Sequence, residues 1–215
     1  MTAAAFRQRL REKRMIASVK EPRTIEQAAE LSGRLGGVFL LTGHIGVLPS
    51  YVELLRRHGL PVFLHLEKLG GISTDPHGLD HLVRTVRPDG IISTKTGVIR
   101  AARKKGLLTV QRFFLVDTDG LANLESSLQQ AEPDFVELMP ARMPDVIARA
   151  RAITPLPIIT GGLLQEPEQG RLCLAEGAAA ISSSRPALWK ADYPLPPAAF
   201  RPSSPPVDTA LTNRR

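Results

Sequence analysis

A closed (β/α)8 barrel of parallel strands, the TIM barrel, is the fold class this sequence predicts. Three observations carry the reading. Eight short apolar runs recur along the 215 residues, each closed by small or polar residues and followed by a helical pattern. Their spacing of roughly 20 to 30 residues is what one strand, one crossover helix and two short loops require in a parallel unit. Every run is apolar, whereas an open doubly wound sheet, the alternative, usually leaves polar edge strands.

In chain order the runs are MIASV from Met15 to Val19, GVFLL from Gly37 to Leu41, PVFLHL from Pro61 to Leu66 and GIIS from Gly90 to Ser93. LLTVQ from Leu107 to Gln111, FVELM from Phe135 to Met139, PIIT from Pro157 to Thr160 and AAIS from Ala179 to Ser182 complete the set. Several are introduced by one phrase, as in HGLPVFL, RPDGIIS, KGLLTVQ, EPDFVEL and TPLPIIT: a Gly or Pro ends a helix and leads into a buried strand. The intervening segments are amphipathic. LPSYVELLRRHG turns Val52, Leu55 and Leu54 inward and Arg56 and Arg57 outward, with Gly59 as the stop. Residues 1–14 are expected to form a short basic helix over the barrel bottom, within one domain spanning 1–192. The Pro- and Ser-rich tail, 193–215, is expected to be extended or mobile.

Composition is globular, 43% hydrophobic and 23% charged, and the chain is long enough to bury one large core. Lys plus Arg number 28 against 21 Asp plus Glu, a formal charge of +7, so the surface field should attract phosphates on nucleic acid, metabolite or lipid. Cys173 is the only cysteine, which excludes an intramolecular disulfide and a cysteine-based metal site; in the apolar run RLCLAEGAAA it reads as inert core filling. The opening MTAAAFRQRLREKRM places charges where a signal peptide needs an apolar core, and no apolar run reaches the ~20 residues that span a bilayer. A soluble, cytoplasmic protein without membrane contact is expected.

In such a barrel the ligand site lies at the C-terminal strand ends, with a phosphate often held by the loops after the seventh and eighth strands. PIITGG supplies Gly161 and Gly162 there, whose missing side chains let backbone N–H groups approach an anion. AAISSSRPALW supplies Ser182, Ser183 and Ser184, then Pro186 at the first turn of a short helix. The plainer alternative is a Gly-Gly turn and a serine helix cap. Other strand ends carry His44, His65 with Glu67, Thr94 with Lys95, Gln111 with Arg112, and Glu137. These suit a hydroxylated, phosphorylated ligand, an acid–base set, or simple structural pairing of Glu137 with Arg112 or Lys95. His65, Glu67 and Glu137 lack any recognised metal-ligand spacing, so no metal is expected, and no nucleophile elbow, Walker loop or dinucleotide fingerprint is present.

The stretch Ile92–Phe114 carries Lys95, Arg100, Arg103, Lys104, Lys105 and Arg112 with no acidic residue. Val98, Ile99, Ala101 and Ala102 form the helix side facing the strands. Arg100, Arg103 and Lys104 gather opposite at i, i+3, i+4 spacing, as a solvated face or as a surface for RNA phosphates. Lys95 and Arg112 are expected just past strand ends, where a pocket should open.

At these strand ends the sequence resembles the glycerol-uptake operon antiterminator regulatory proteins, from about Met15 to Trp189. The likeness is carried by GVFLLTGHIG, HLEKLGGI, RPDGIISTKTGVIRAARKKGLLTVQRFFLVD, PDFVELMP, PIITGGLL and GAAAISSSRPALW. The resemblance implies a barrel that is not an enzyme, with glycerol 3-phosphate as effector and no cofactor. In the bound state it would act on the leader mRNA of glycerol-utilisation genes, letting transcription pass a terminator. It further implies that Gly161, Gly162, Ser182 and Ser183 hold the phosphate, with Glu67, Lys95, Arg112 and Glu137 around the rest of the pocket. Two positions depart from the family pattern: Glu67 stands where Asp is common, and Arg185 where a small polar residue is.

Aromatics make up only 5% of the chain and no stacking platform is visible, so RNA contact should run through phosphates and depend steeply on salt. The ligand would act through differential affinity for two states, with loops after Glu67 and Phe114 closing over the phosphate. A barrel enzyme of aldolase or isomerase type is the second reading, with Lys95 as Schiff-base amine or Glu137 as general base. A purely structural or protein-binding barrel is the third, and the oligomeric state, a homo-oligomer included, stays open.

Overall fold

The computed structural model describes residues 1–115 and 117–194. Eight parallel strands follow one another around a closed barrel, and β8 returns to pair with β1. They are β1 (Met15–Val19), β2 (Leu35–Leu40), β3 (Val62–His65), β4 (Gly90–Ser93), β5 (Leu108–Phe114), β6 (Phe135–Met139), β7 (Ile158–Gly161) and β8 (Ala180–Ser183). The helices are α1 (Ala3–Glu12), α2 (Ile25–Glu30), α3 (Leu48–Arg57), α4 (Pro76–His81), α5 (Thr96–Lys104), α6 (Thr118–Ala131), α7 (Pro144–Ile153), α8 (Pro167–Ala175) and α9 (Pro186–Trp189). No helix among the described residues is long and apolar enough to cross a membrane.

Five of the predicted strands differ in extent from those observed by one to three residues at an end, and the difference at β5 has consequences. That strand runs on to Phe114 because its ladder with β6 continues through Arg112↔Glu137 to Phe114↔Met139. Arg112 therefore lies within the strand, not past its end. α3 follows expectation: Val52 and Leu55 are buried, Arg56 and Arg57 are exposed, and Gly59 ends the segment at φ +71.

Alternation along each strand divides the apolar residues between two cores. Outward positions such as Ala17, Val38, Leu64, Ile91, Val136 and Ile181 pack under the helices. Inward positions, Ile16, Phe39, Phe63, Ile92, Val110, Phe135, Ile159 and Ala180, fill the barrel together with Phe6 and Leu10 of α1. α1 thus closes the barrel bottom. The Phe6 ring lies 4.6 Å from that of Phe63 and 5.0 Å from that of Phe135. Gly37 leaves room for it, since a Cβ there would stand 3.3 Å from the Phe6 ring. Arg9 Nε donates to the Gly36 carbonyl at 2.7 Å, tying the helix across the end of β2. At the other end of the chain, Tyr193 is half-buried and its hydroxyl donates to the Leu188 carbonyl at 3.1 Å; residues 195–215 of the predicted tail lie outside the described residues.

Candidate functional site

The same alternation that puts Ile16, Val110, Phe135, Ile159 and Ala180 inside the barrel turns Ser18, Arg112, Glu137, Gly161 and Ser182 inward one step nearer the C-terminal mouth. There the core turns polar. Glu137 is fully buried and Arg112 is 5% exposed, and Arg112 Nε donates to Glu137 Oε2 at 2.6 Å. The parallel register sets the two residues side by side on β5 and β6. Ser182 Oγ donates to the other carboxylate oxygen at 2.7 Å, so both oxygens of Glu137 are satisfied. A buried charge is tolerable on these terms, paired and hydrogen-bonded.

The Ser182–Glu137 bond spans from β8 to β6 across β7. It exists because β7 offers Gly161 at the level of Ser182: a Cβ there would collide with Ser182 Oγ, and would stand 2.8 Å from its carbonyl oxygen. Gly161 therefore makes the room in which the serine reaches the carboxylate. Gly162 follows at φ +82, a left-handed conformation that suits glycine, where a Cβ would stand 2.7 Å from the Met139 methyl carbon.

Above this triad opens a cavity of about 460 Å³. Arg112, Glu137, Gly162, Ser182 and Ser183 line it together, as do Ser184 and Arg185. Three predicted site residues do not. Gly161 lies behind Ser182. Lys95 is exposed at the start of α5, where its backbone N–H donates to Ser93 Oγ at 3.0 Å. Glu67, in the short 3-10 turn Leu66–Lys68, accepts a hydrogen bond from Ser93 Oγ and stands 3.1 Å from His65 Nδ1, a close but poorly aligned contact. Burial opposes its charge, but the contacts to His65 and Ser93 outweigh burial and hold the carboxyl at about 2. Glu67 thus fastens the ends of β3 and β4 beside the cavity.

The remaining candidates are local. His44 is exposed, and its Nδ1 accepts from Gly46 N–H at 3.2 Å; Thr94 is exposed; Gln111 faces away from the barrel interior and donates to Thr96 Oγ1 at 3.2 Å. Among the described residues no three His, Cys, Asp or Glu side chains come together as a metal site. Cys173 is buried, donates its thiol hydrogen to the Ala141 carbonyl at 3.1 Å, and is pushed up to about 11 by burial, so it is an inert thiol of the core.

Sequence reasoning missed Ser18, Lys20 and Lys68, which line the cavity, and an apolar wall of Leu41, Phe114, Met139, Leu163 and Leu164. Position offers a signal for each polar one: Ser18 sits two residues after inward-facing Ile16, and Lys20 and Lys68 directly follow β1 and Glu67. With Arg112 neutralised by Glu137, the lining still presents Lys20, Lys68 and Arg185 and no further carboxylate, an environment for an anion. Ser183 and α9 are locked beside it: Ser183 Oγ accepts from Arg185 N–H at 3.1 Å and Trp189 Nε1 donates to the Ser183 carbonyl at 2.7 Å.

The helical trio Arg100, Arg103 and Lys104 is exposed on α5 while Val98, Ile99 and Ala102 are buried, as the spacing predicts. The three are not equivalent. Arg103 Nη1 is engaged by the Glu132 carboxylate at 2.6 Å and its carbonyl at 2.8 Å, whereas Arg100 and Lys104 form no ion pair among the described residues.

Residues 15–189 match the family model described as glycerol-3-phosphate responsive antiterminator. An uncharacterized Escherichia coli protein, YgcP, is 29% identical over 180 residues, 84% of this chain and 93% of that protein. The crystal structure of a glycerol uptake operon antiterminator regulatory protein from Listeria monocytogenes superposes with a TM-score of 0.78 at 29% identity, covering 83% of this chain and 95% of that one. A glycerol uptake operon antiterminator-related protein from Thermotoga maritima gives a TM-score of 0.71 at 26% identity over 83% of this chain and 99% of that one. Orotidine 5'-monophosphate decarboxylase from Metallosphaera sedula, at 17% identity and a TM-score of 0.60 over 84% of this chain and 92% of that one, shares the fold alone.

Proposed function

The chain belongs to the glycerol-3-phosphate responsive antiterminator family, and from that premise we propose that it binds glycerol 3-phosphate in the barrel-mouth cavity and, so loaded, engages the leader mRNA of glycerol-utilisation genes. The observation that carries the effector half is the cavity's composition: two glycine- and serine-bearing loops after β7 and β8, three cations without a buried carboxylate partner, and one polar triad at the floor. The phosphate belongs against Gly162, Ser183, Ser184 and Arg185, which line the cavity from the loops after β7 and β8 and bring a glycine, two serines and a guanidinium to it. The glycerol hydroxyls belong over Arg112, Ser182 and Glu137. Arg112 commits its Nε–H to Glu137, and its Nη groups, which make no hydrogen bond among the described residues, are available to a hydroxyl oxygen. Glu67 and Lys95 act on the site's frame through Ser93, and not by touching the ligand. The effector needs no cofactor.

The enzyme alternative draws little from this geometry. Lys95 is exposed and absent from the cavity lining, and Glu137 is held between Arg112 and Ser182, each of its oxygens already accepting a hydrogen bond from one of them.

Calorimetric titration with glycerol 3-phosphate tests the effector reading. One saturable site is expected, weakened at least tenfold, about 1.4 kcal/mol, by Arg185→Ala, with glycerol and inorganic phosphate each binding more weakly than the ester. Absence of heat and of thermal stabilisation at millimolar ligand would sink the proposal.

A further inference from the structure

The net charge of this protein is not spread evenly. Residues 2–14 carry Arg7, Arg9, Arg11, Lys13 and Arg14 against Glu12 alone, a net of four out of the chain's seven. α1 lays this charge across the barrel bottom, at the pole opposite the cavity. Its apolar side chains, Phe6 and Leu10, point into the barrel and are buried, so Ala4, Ala5, Arg7, Gln8, Arg11 and Glu12 remain on the exposed side. Arg7 and Arg11 lie one helical turn apart, and neither enters an ion pair among the described residues. Helices of a (β/α)8 barrel run back toward this pole, so Arg56 at the end of α3 and Lys104 at the end of α5 face the same pole as α1, both exposed. Cations at helix C-termini offset the helix dipole, which accounts for that rim. Within α1, Arg9 is taken up by the Gly36 carbonyl, Lys13 Nζ donates to the Ser32 carbonyl at 3.2 Å and the Arg7 guanidinium stands 5.9 Å from the Phe135 ring centroid, but Arg7 and Arg11 both remain exposed with no carboxylate beside them. Crowding is physical: burial, with the neighbouring Arg9, lowers the Lys13 ammonium from its ordinary value.

We infer that this basic pole, centred on Arg7 and Arg11 of α1 and continued by Lys104, is the surface on which the RNA phosphate backbone docks; the inference rests on the RNA reading proposed above. The surface suits a polyanion read by charge. It presents no aromatic platform, so contacts are with phosphates and not with unstacked bases. A lipid surface fits it poorly, because membrane-lying helices insert an apolar face, and the apolar face of α1 is already spent on the barrel. The two ligands then sit at opposite ends of one inner core. Phe6 packs against Phe135, which stands two residues before Glu137 on β6, so a contiguous column of side chains joins the RNA pole to the floor of the effector cavity.

The test uses the full chain, a labelled transcript of the leader preceding a glycerol-utilisation gene of the source genome, and saturating glycerol 3-phosphate. For the Arg7→Gln, Arg11→Gln variant the slope of log affinity against log salt is expected to fall by roughly 1.4 to 1.8, two phosphate contacts at ~0.7 to 0.9 each. Its calorimetric affinity for glycerol 3-phosphate should equal that of the unaltered protein. Ultraviolet crosslinking of the unaltered protein, which needs no variant, should place RNA on peptides from residues 2–14. Steep salt dependence retained in full by the variant, or crosslinks confined to the loops of the cavity mouth, would overturn the inference while leaving the RNA reading intact. Loss of variant binding to phosphatidylglycerol vesicles with unchanged RNA binding would overturn it in favour of a lipid. An unaltered protein that binds no leader RNA would bring down the RNA reading itself.

Discussion

Glu137 is the residue on which the site depends. Glu137→Gln leaves Arg112 buried without its counter-charge, and a loss of about 3 to 5 kcal/mol in urea unfolding is expected, together with loss of effector binding. Replacing both partners, Arg112→Met with Glu137→Leu, should restore most of the stability and none of the binding, which separates folding from function. Gly161→Ala is expected to weaken glycerol 3-phosphate at least tenfold by pushing Ser182 off Glu137, whereas Ser182→Ala should be the milder change; calorimetry compares them. Glu67 contributes through pH. Its folded carboxyl lies at about 2, below its ordinary 4.5, so its stabilisation is complete above 4.5 and is lost as pH falls through 2. Glu67→Gln should flatten the dependence of Tm on pH in that window and leave neutral-pH effector affinity within a few fold. At this scale the residue types of the site were legible in the sequence, because strand ends name themselves once the strands are found. Their partners were not: that Glu137 takes Arg112 and not Lys95, and that Ser182 reaches over Gly161, follows from register, which depends on how all eight strands tilt together.

Among the elements, α1 and β5 teach most. A basic segment before the first strand was expected to lie over the barrel bottom, and the amphipathic spacing of Phe6 and Leu10 is what puts it there. Phe6→Ala should cost about 3 to 5 kcal/mol, measured by chemical denaturation, because the cavity left under Phe63 and Phe135 has no side chain positioned to fill it. β5 extends three residues past the apolar run that marks it, since QRFF mixes charge into that run. A charge is admitted because Glu137 stands opposite on the next strand, a fact about β6 that local pattern cannot supply. The 3-10 turn Leu66–Lys68 splits its duties, Glu67 fastening the frame and Lys68 facing the cavity. Effector binding is expected to slow hydrogen exchange across residues 66–72, and unchanged protection there on saturation would exclude that turn as the moving part.

At the scale of the whole molecule, the barrel was the most legible feature, because eight buried strands at regular spacing admit few other closures. Charge distribution was not legible from net charge alone, since the +7 acquires a direction only when α1 is laid across one pole. The function proposed for the molecule is linkage: an anion at one end of the barrel changes affinity for a polyanion, and linkage of this kind is worth roughly 1 to 3 kcal/mol, or 5- to 150-fold. The most direct measurement is the dissociation constant of the leader transcript at one fixed salt concentration, with and without saturating glycerol 3-phosphate. The account predicts tighter binding with the effector by at least fivefold, abolished by Glu137→Gln at a temperature where that variant remains folded; equal affinity in the two conditions would contradict it.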